Sequence, residues 1–116
     1  MKFIIFDFNQ EHRMLLKEAI ELQEDRQVFM PTTIEELLRL VKEEHQVSKV
    51  ILDPWGVEVS MISCIYDCLI NTKTQVVIHT TTHINELWKA GFPKKILYAQ
   101  KPYPPFDLIN IGDNVN

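Results

Sequence analysis

The sequence predicts an α/β fold: a doubly wound, five-stranded parallel sheet with a last helix that is short or missing. Three observations lead there. Short apolar runs and amphipathic segments alternate five times along the 116 residues, at about 20 to 25 residues per unit, the length of a right-handed βαβ crossover. The first run, KFIIFDF from Lys2 to Phe8, is a nearly continuous apolar stretch, which suits a strand covered on both faces. Hydrophobic residues make up 46% of the chain, enough for one domain to build a core without disulfide or metal staples.

The elements follow in order. The first strand breaks at Asp7-Phe8-Asn9. From Gln10 to Gln23, Met14, Leu15, Ala19, Ile20 and Leu22 recur at helical spacing, and Arg13, Lys17, Glu18 and Glu21 are left for solvent. Gln27 to Met30 is a short second strand. Pro31-Thr32-Thr33 ahead of Glu35 and Glu36 reads as a helix start, with a hydroxyl cap and acids in the first turn. Ile34, Leu37, Leu38 and Val41 are its buried stripe.

Val47 to Leu52 is the third strand, which ends at Asp53-Pro54 because proline biases the residue before it away from helical angles. Ser60 to Thr72 reads as a helix with Ile62, Ile65, Cys68 and Leu69 inward. Gln75 to His79 is the fourth strand, closed by Thr80-Thr81-Thr82. His83 to Ala90 is a short helix stopped by Gly91 at a left-handed cap and by Pro93. Lys95 to Ala99 is the fifth strand. Phe106 to Ile109 can form about one helical turn, and Asn110, Gly112, Asp113 and Asn114 leave too little for a full last helix.

Charge and composition narrow the function. A net charge of -4 leaves no basic footprint for nucleic acid, so a protein or small-anion partner is expected. No apolar stretch reaches the roughly 20 residues that cross a bilayer, and Met1-Lys2 runs directly into a strand instead of a secretory signal. The expected setting is therefore the cytoplasm. Cys64 and Cys68 lie four apart in a predicted helix, which fits neither a disulfide framework nor a CxxC metal site; reduced, packed thiols are expected. His79 and His83 lie on different elements and do not form a zinc site, so turn and cap roles are expected for them.

If the strands are parallel, their carboxyl ends meet at one edge, where open α/β sheets bind ligands. Asp53, Thr80 and Lys101-Pro102 all fall at such ends. An acid, a hydroxyl and an ammonium gathered there can manage a phosphoryl group. With this order of elements, the chain from about Lys2 to Tyr103 resembles the receiver domain of two-component response regulators, a flavodoxin-like fold. In that family an acidic pair closes the first strand, a phosphoacceptor aspartate the third, Thr or Ser the fourth and Lys-Pro the fifth. Here those places hold Asp7-Phe8, Asp53, Thr80 and Lys101-Pro102.

The resemblance implies a single receiver-like domain over residues 1-116, a signalling module rather than an enzyme. Asp53 would accept a phosphoryl group from a histidine kinase, giving a high-energy acyl phosphate suited to a transient signal. Lys101 would pair with Asp53 or with a phosphoryl oxygen. Thr80 would be drawn inward by that oxygen and free space for Tyr98, the switch. Asp7 and Asp53 would hold Mg²⁺. Its implied partners are a histidine kinase or other signalling protein, with a homodimer possible in principle, and neither nucleic acid nor membrane.

Phe8 departs from the family, since it stands at the second acidic place and has no ligand atom. A weak Mg²⁺ site is expected, and Glu11 is expected to point to water rather than to rescue it. The shortened tail is the other departure: Tyr103-Pro104-Pro105-Phe106 either covers the sheet edge or presents an apolar patch. Both favour the alternative of a pseudo-receiver that acts by binding alone. A third class, an unrelated α/β enzyme or nucleotide binder, is disfavoured because Asp7-Phe8-Asn9-Gln10 lacks the glycines of a phosphate-binding loop.

Overall fold

In the computed structural model, which describes residues 1–113, strands and helices alternate strictly. The order is β1 (Lys2–Phe6), α1 (Gln10–Glu21), β2 (Gln27–Phe29), α2 (Ile34–Glu43), β3 (Val47–Leu52), α3 (Val59–Leu69), β4 (Gln75–Thr80), α4 (Ile84–Lys89), β5 (Leu97–Gln100) and α5 (Pro105–Asn110). The sheet order is β2-β1-β3-β4-β5, with every pairing parallel. The chain leaves β1 toward β2 and returns past β1 to β3, so the direction of winding reverses between β1 and β3.

Both faces of the sheet are covered. Ile4, Val50, Leu52, Val76 and Ile78 pack under α2, α3 and α4 through Leu37, Leu40, Ile62, Ile65 and Leu87. Phe3, Ile5, Ile51, Val77 and Ala99 pack under α1 and α5 through Leu16, Ala19, Ile20, Leu108 and Ile109. The alternation along β1 and β3 sends neighbouring residues to opposite layers, which is why these strands read as apolar throughout.

Local sequence sets the helix ends. The Asn9 side chain accepts the His12 N–H and starts α1. At α2 the Thr33 hydroxyl accepts the Glu36 N–H, and the Thr32 N–H donates to the Glu36 carboxylate at 3.2 Å, a variant of the reciprocal Thr-x-x-Glu cap. At the end of α4, Gly91 has φ +102°. The Gly91 and Phe92 N–H groups donate to the Trp88 and Leu87 carbonyls, the paired bonds that a left-handed glycine makes possible.

Several boundaries and faces differ from the sequence reading. Strand β1 ends at Phe6, because the Asp7 carboxylate takes the Asn9 N–H and turns the chain into α1. Helix α1 buries Leu16, Ala19 and Ile20, whereas Met14, Leu15 and Leu22 are exposed. Apolar residues lie on three sides of this helix, and the sheet selects one of them. In α2 the fully buried stripe is Leu37, Leu40 and Val41, with Ile34 and Leu38 at its margin.

Helix α3 stops at Leu69, where the Thr72 N–H and hydroxyl both bond the Leu69 carbonyl. Cys64 and Cys68 are both exposed rather than packed, since Ile62, Ile65 and Leu69 already fill the inward face. Strand β4 runs on to Thr80, and β5 runs from Leu97 to Gln100 to match it, with Thr80 opposite Gln100.

Helix α5 spans six residues, too few to hold itself by propagation alone. Its anchor is Lys49 of β3, which is 1% exposed. The ammonium donates to the Ile109 carbonyl, to the Ile111 carbonyl at 2.8 Å and to the Asp113 carboxylate at 3.3 Å. These are carbonyls that a helix C-terminus leaves without partners, and a cation there also meets the negative end of the helix dipole. Burial pushes the Lys49 pKa down, and Asp113 opposes that shift. Asn114 lies outside the described residues.

Replacing Lys49 by Met should keep the stem but orphan the carbonyls, costing about 1–3 kcal/mol in urea unfolding. Amide exchange in α5 should quicken before that of the sheet. An unchanged exchange rate at Leu108 and Ile109 would show that the helix does not depend on this lysine.

Candidate functional site

Four strand ends meet at one edge of the sheet. Asp7 follows β1, Asp53 follows β3, Thr80 ends β4 and Lys101 lies just past β5. Backbone bonds continue the pairing beyond the strands: the Asp53 N–H donates to the Phe6 carbonyl at 2.8 Å, and the Lys101 N–H to the Thr80 carbonyl at 2.7 Å. The Lys101–Pro102 peptide is cis.

The centre of the site is one ammonium between two carboxylates. Lys101 Nζ lies 2.7 Å from Asp53 Oδ2 and 2.9 Å from Asp7 Oδ2. Asp7 and Asp53 are 5% and 6% exposed, so these charges are paired rather than solvated. The second oxygens are also used. Asp7 Oδ1 accepts the Asn9 N–H and Asp53 Oδ1 the Trp55 N–H, each at 2.9 Å. Arg13 donates to the Asp7 backbone carbonyl at 2.8 Å. Each carboxylate is therefore a turn acid and an ion-pair partner at once.

Thr80 is buried at the rim, and its Oγ1 accepts the Thr82 N–H at 3.2 Å. A cavity of about 160 Å³ lies beside it, bordered by Thr80, Leu87 and Tyr98. The Tyr98 hydroxyl donates to the Pro93 carbonyl, its ring meets Trp88 edge-on at 6.4 Å, and burial pushes the phenol pKa up.

Phe8 turns away from the carboxylates. It is exposed, as is Trp55, and the two rings stack with centroids 4.5 Å apart and planes tilted by 32°. Together they wall a crevice of about 260 Å³ that reaches Asp53, Thr80 and Lys101. Glu11 is exposed on α1. Among the described residues no group of three or more His, Cys, Asp or Glu side chains is arranged to hold a metal ion. Asp7 and Asp53 remain as two carboxylate donors for Mg²⁺, a cation that retains several waters and uses few protein ligands. The fit is that of a weak site, and Lys101 competes for the same oxygens.

Sequence reasoning missed two side chains beside this site. His79, expected at the end of the fourth strand in a turn role, lies within β4 at 6% exposure, with neither ring nitrogen hydrogen-bonded. His12 of α1 lies near it, with ring centroids 6.4 Å apart, and its Nδ1 is 3.8 Å from Asp7 Oδ2. A histidine directly after the apolar Val76-Val77-Ile78 stretch of the strand was the available signal. His83, by contrast, caps α4: its Nδ1 accepts the Asn85 N–H.

Sheet order and crossover pattern define the fold of response-regulator receiver domains, and comparison with solved structures agrees. A signal receiver domain from Clostridium thermocellum superposes with a TM-score of 0.73 at 20% identity, covering 94% of this chain and 91% of that one. The isolated REC domain of RcsB from Salmonella enterica serovar Typhimurium, in its apo form, gives 0.73 at 18% identity over 95% and 83%. A response regulator from Thermotoga maritima gives 0.71 at 19% identity over 94% and 91%. No family model and no curated protein matches the sequence. The likeness is thus one of fold, carried by structure at low identity.

His79 makes the site pH-sensitive. Burial, and next the nearby Lys101 ammonium, lower its pKa to about 4 from 6.5, against the opposing pull of Asp7 and Asp53. The unfolded chain therefore takes up a proton near pH 6.5 that the folded chain refuses until about pH 4. Stability from this group is full above that window, falls as pH drops through it and is level below. Urea unfolding at neutral pH and near the bottom of the window should show wild type losing about 2–3 kcal/mol relative to His79→Leu. Parallel pH profiles for the two proteins would contradict the assignment.

Proposed function

We propose that the chain is a single receiver-type signalling domain that accepts a phosphoryl group on Asp53 and relays the change to a partner protein. The observation that carries this reading is the Lys101 ammonium held 2.7 Å from Asp53 and 2.9 Å from Asp7 at the sheet edge. It keeps a nucleophilic carboxylate in a nearly dry pocket, with a cation ready to move onto the incoming phosphoryl oxygens. The donor is the phosphohistidine of a histidine kinase. Asp53 Oδ attacks phosphorus, the P–N bond breaks toward the imidazole, and an acyl phosphate results.

Asp7 and Asp53 would hold Mg²⁺, which when bound offsets negative charge on the phosphoryl group. Thr80 would donate its hydroxyl to a phosphoryl oxygen. That gives up its present bond to the Thr82 N–H and enlarges the space into which Tyr98 turns, at the cost of the tether to Pro93. The output is then a change of surface around α4 and β5, read by a protein partner or by a second copy of the chain. No helix among the described residues is long and apolar enough to cross a membrane, and we place the domain in the cytoplasm.

Phe8 supports a second reading, a pseudo-receiver that acts by binding alone. Its ring is stacked on Trp55 outside the acid pocket, leaving two carboxylates where the family uses three, already shared with an ammonium. One experiment separates the two. On incubation with phosphoramidate or acetyl phosphate and Mg²⁺, the first reading predicts a hydroxylamine-labile mass gain of one phosphoryl group, abolished by Asp53→Asn. Phe8→Asp should speed that gain at limiting Mg²⁺ by roughly tenfold or more, as a third carboxylate completes the donor set. No gain in either wild type or Phe8→Asp would favour the binding module.

A further inference from the structure

The chain has two cysteines, Cys64 and Cys68, and both are free and exposed on α3. The inward side of this helix is filled by Ile62, Ile65 and Leu69, so core packing gives neither thiol a role. Positions four apart stand one above the other on a helix, about 40° apart around its axis and about 5–6 Å apart at Cβ. A disulfide needs about 3.5–4.5 Å between the same atoms. The two sulfurs therefore share a side of α3, yet they cannot join directly while the helix is intact. A single ion set between them can close that gap.

We propose that Cys64 and Cys68 form a two-thiolate site for one soft monovalent cation of the copper(I) kind. Thiolate sulfur selects soft ions such as copper(I), which two such ligands can hold from opposite sides. Zinc is a poorer fit. A zinc site takes four ligands, or three and a water, and among the described residues no group of three or more His, Cys, Asp or Glu side chains is placed to hold a metal ion. Hard cations such as Mg²⁺ prefer oxygen donors. Each thiol releases its proton to solvent as its sulfur binds, and no electron is transferred. The ion would staple consecutive turns of α3, the helix that follows the loop after Asp53. The site stands apart from the acid pocket, so the proposal holds for either reading of the domain.

The test is an oxygen-free titration of the reduced full-length protein with copper(I) held by the coloured chelator ferrozine, read by the loss of the complex's absorbance. Wild type should withdraw one equivalent per chain and keep its hydrodynamic size. Cys64→Ser and Cys68→Ser should each weaken retention about a hundredfold or more, because a lone thiolate cannot chelate. Both residues are exposed, so the variants should keep the fold, which unchanged far-UV circular dichroism checks. Asp67→Asn removes an exposed oxygen donor from the same stretch of helix and should change retention by less than about threefold, since the ion is soft. The proposal is overturned if wild type takes no copper from ferrozine, or if either serine variant retains it as tightly as wild type. Uptake that stops at half an equivalent with a doubled size would overturn it too, since the ion would then bridge two copies of the chain.

Discussion

One ammonium shared by two buried carboxylates is the constraint around which the functional edge is arranged. Lys101 lies just past β5, Asp7 just past β1 and Asp53 just past β3, so the pair of bonds at 2.9 and 2.7 Å ties three strand ends that are 48 and 94 residues apart along the chain. Removing Lys101 would leave two carboxylates facing each other uncompensated in a nearly dry site, which is far more costly than the ion pairs are stabilising, whereas removing one acid leaves the ammonium paired with the other. The turns after β1 and β3 depend on the same carboxylates, whose other oxygens hold the Asn9 and Trp55 N–H groups. Chemistry and loop geometry cannot be changed separately here.

The same economy explains what Phe8 alters. A third carboxylate would give the pocket a charge that one lysine could not balance, and would favour a divalent cation. With Phe8 turned onto Trp55, two acids share one lysine and leave a single negative charge, less than a third carboxylate would leave. The apolar surface freed from the site becomes an exposed aromatic pair at its mouth. Lys49 plays a comparable part at the opposite end of β3, where its buried ammonium gathers the carbonyls that end α5.

The parallel sheet and the order of its elements were legible because each depends on period and punctuation within a few residues. The run from Val47 to Leu52, the Thr33 cap and the Gly91 stop all appear where local chemistry puts them. The chain positions of Asp7, Asp53, Thr80 and Lys101 were readable as strand ends, because a parallel sheet brings such ends to one edge. Features set by distant partners were hidden. Which side of α1 is buried depends on the sheet beneath it, so Leu16 was overlooked while Met14 and Leu15 were overvalued. Lys49 looks like an exposed strand residue until the chain returns 60 residues later at Ile109. His79 and His12 become a pair only once α1 lies against β4.

A double-mutant cycle on Lys101→Met and Asp53→Asn, read by urea unfolding, addresses the shared ammonium most directly. The account predicts non-additivity of at least about 1 kcal/mol, because Lys101→Met alone leaves two unneutralised carboxylates, whereas with Asp53→Asn already in place it leaves only that of Asp7. Additivity within about 0.5 kcal/mol would mean that the two groups do not interact. In that case the picture of a lysine-bridged acid pocket would be wrong.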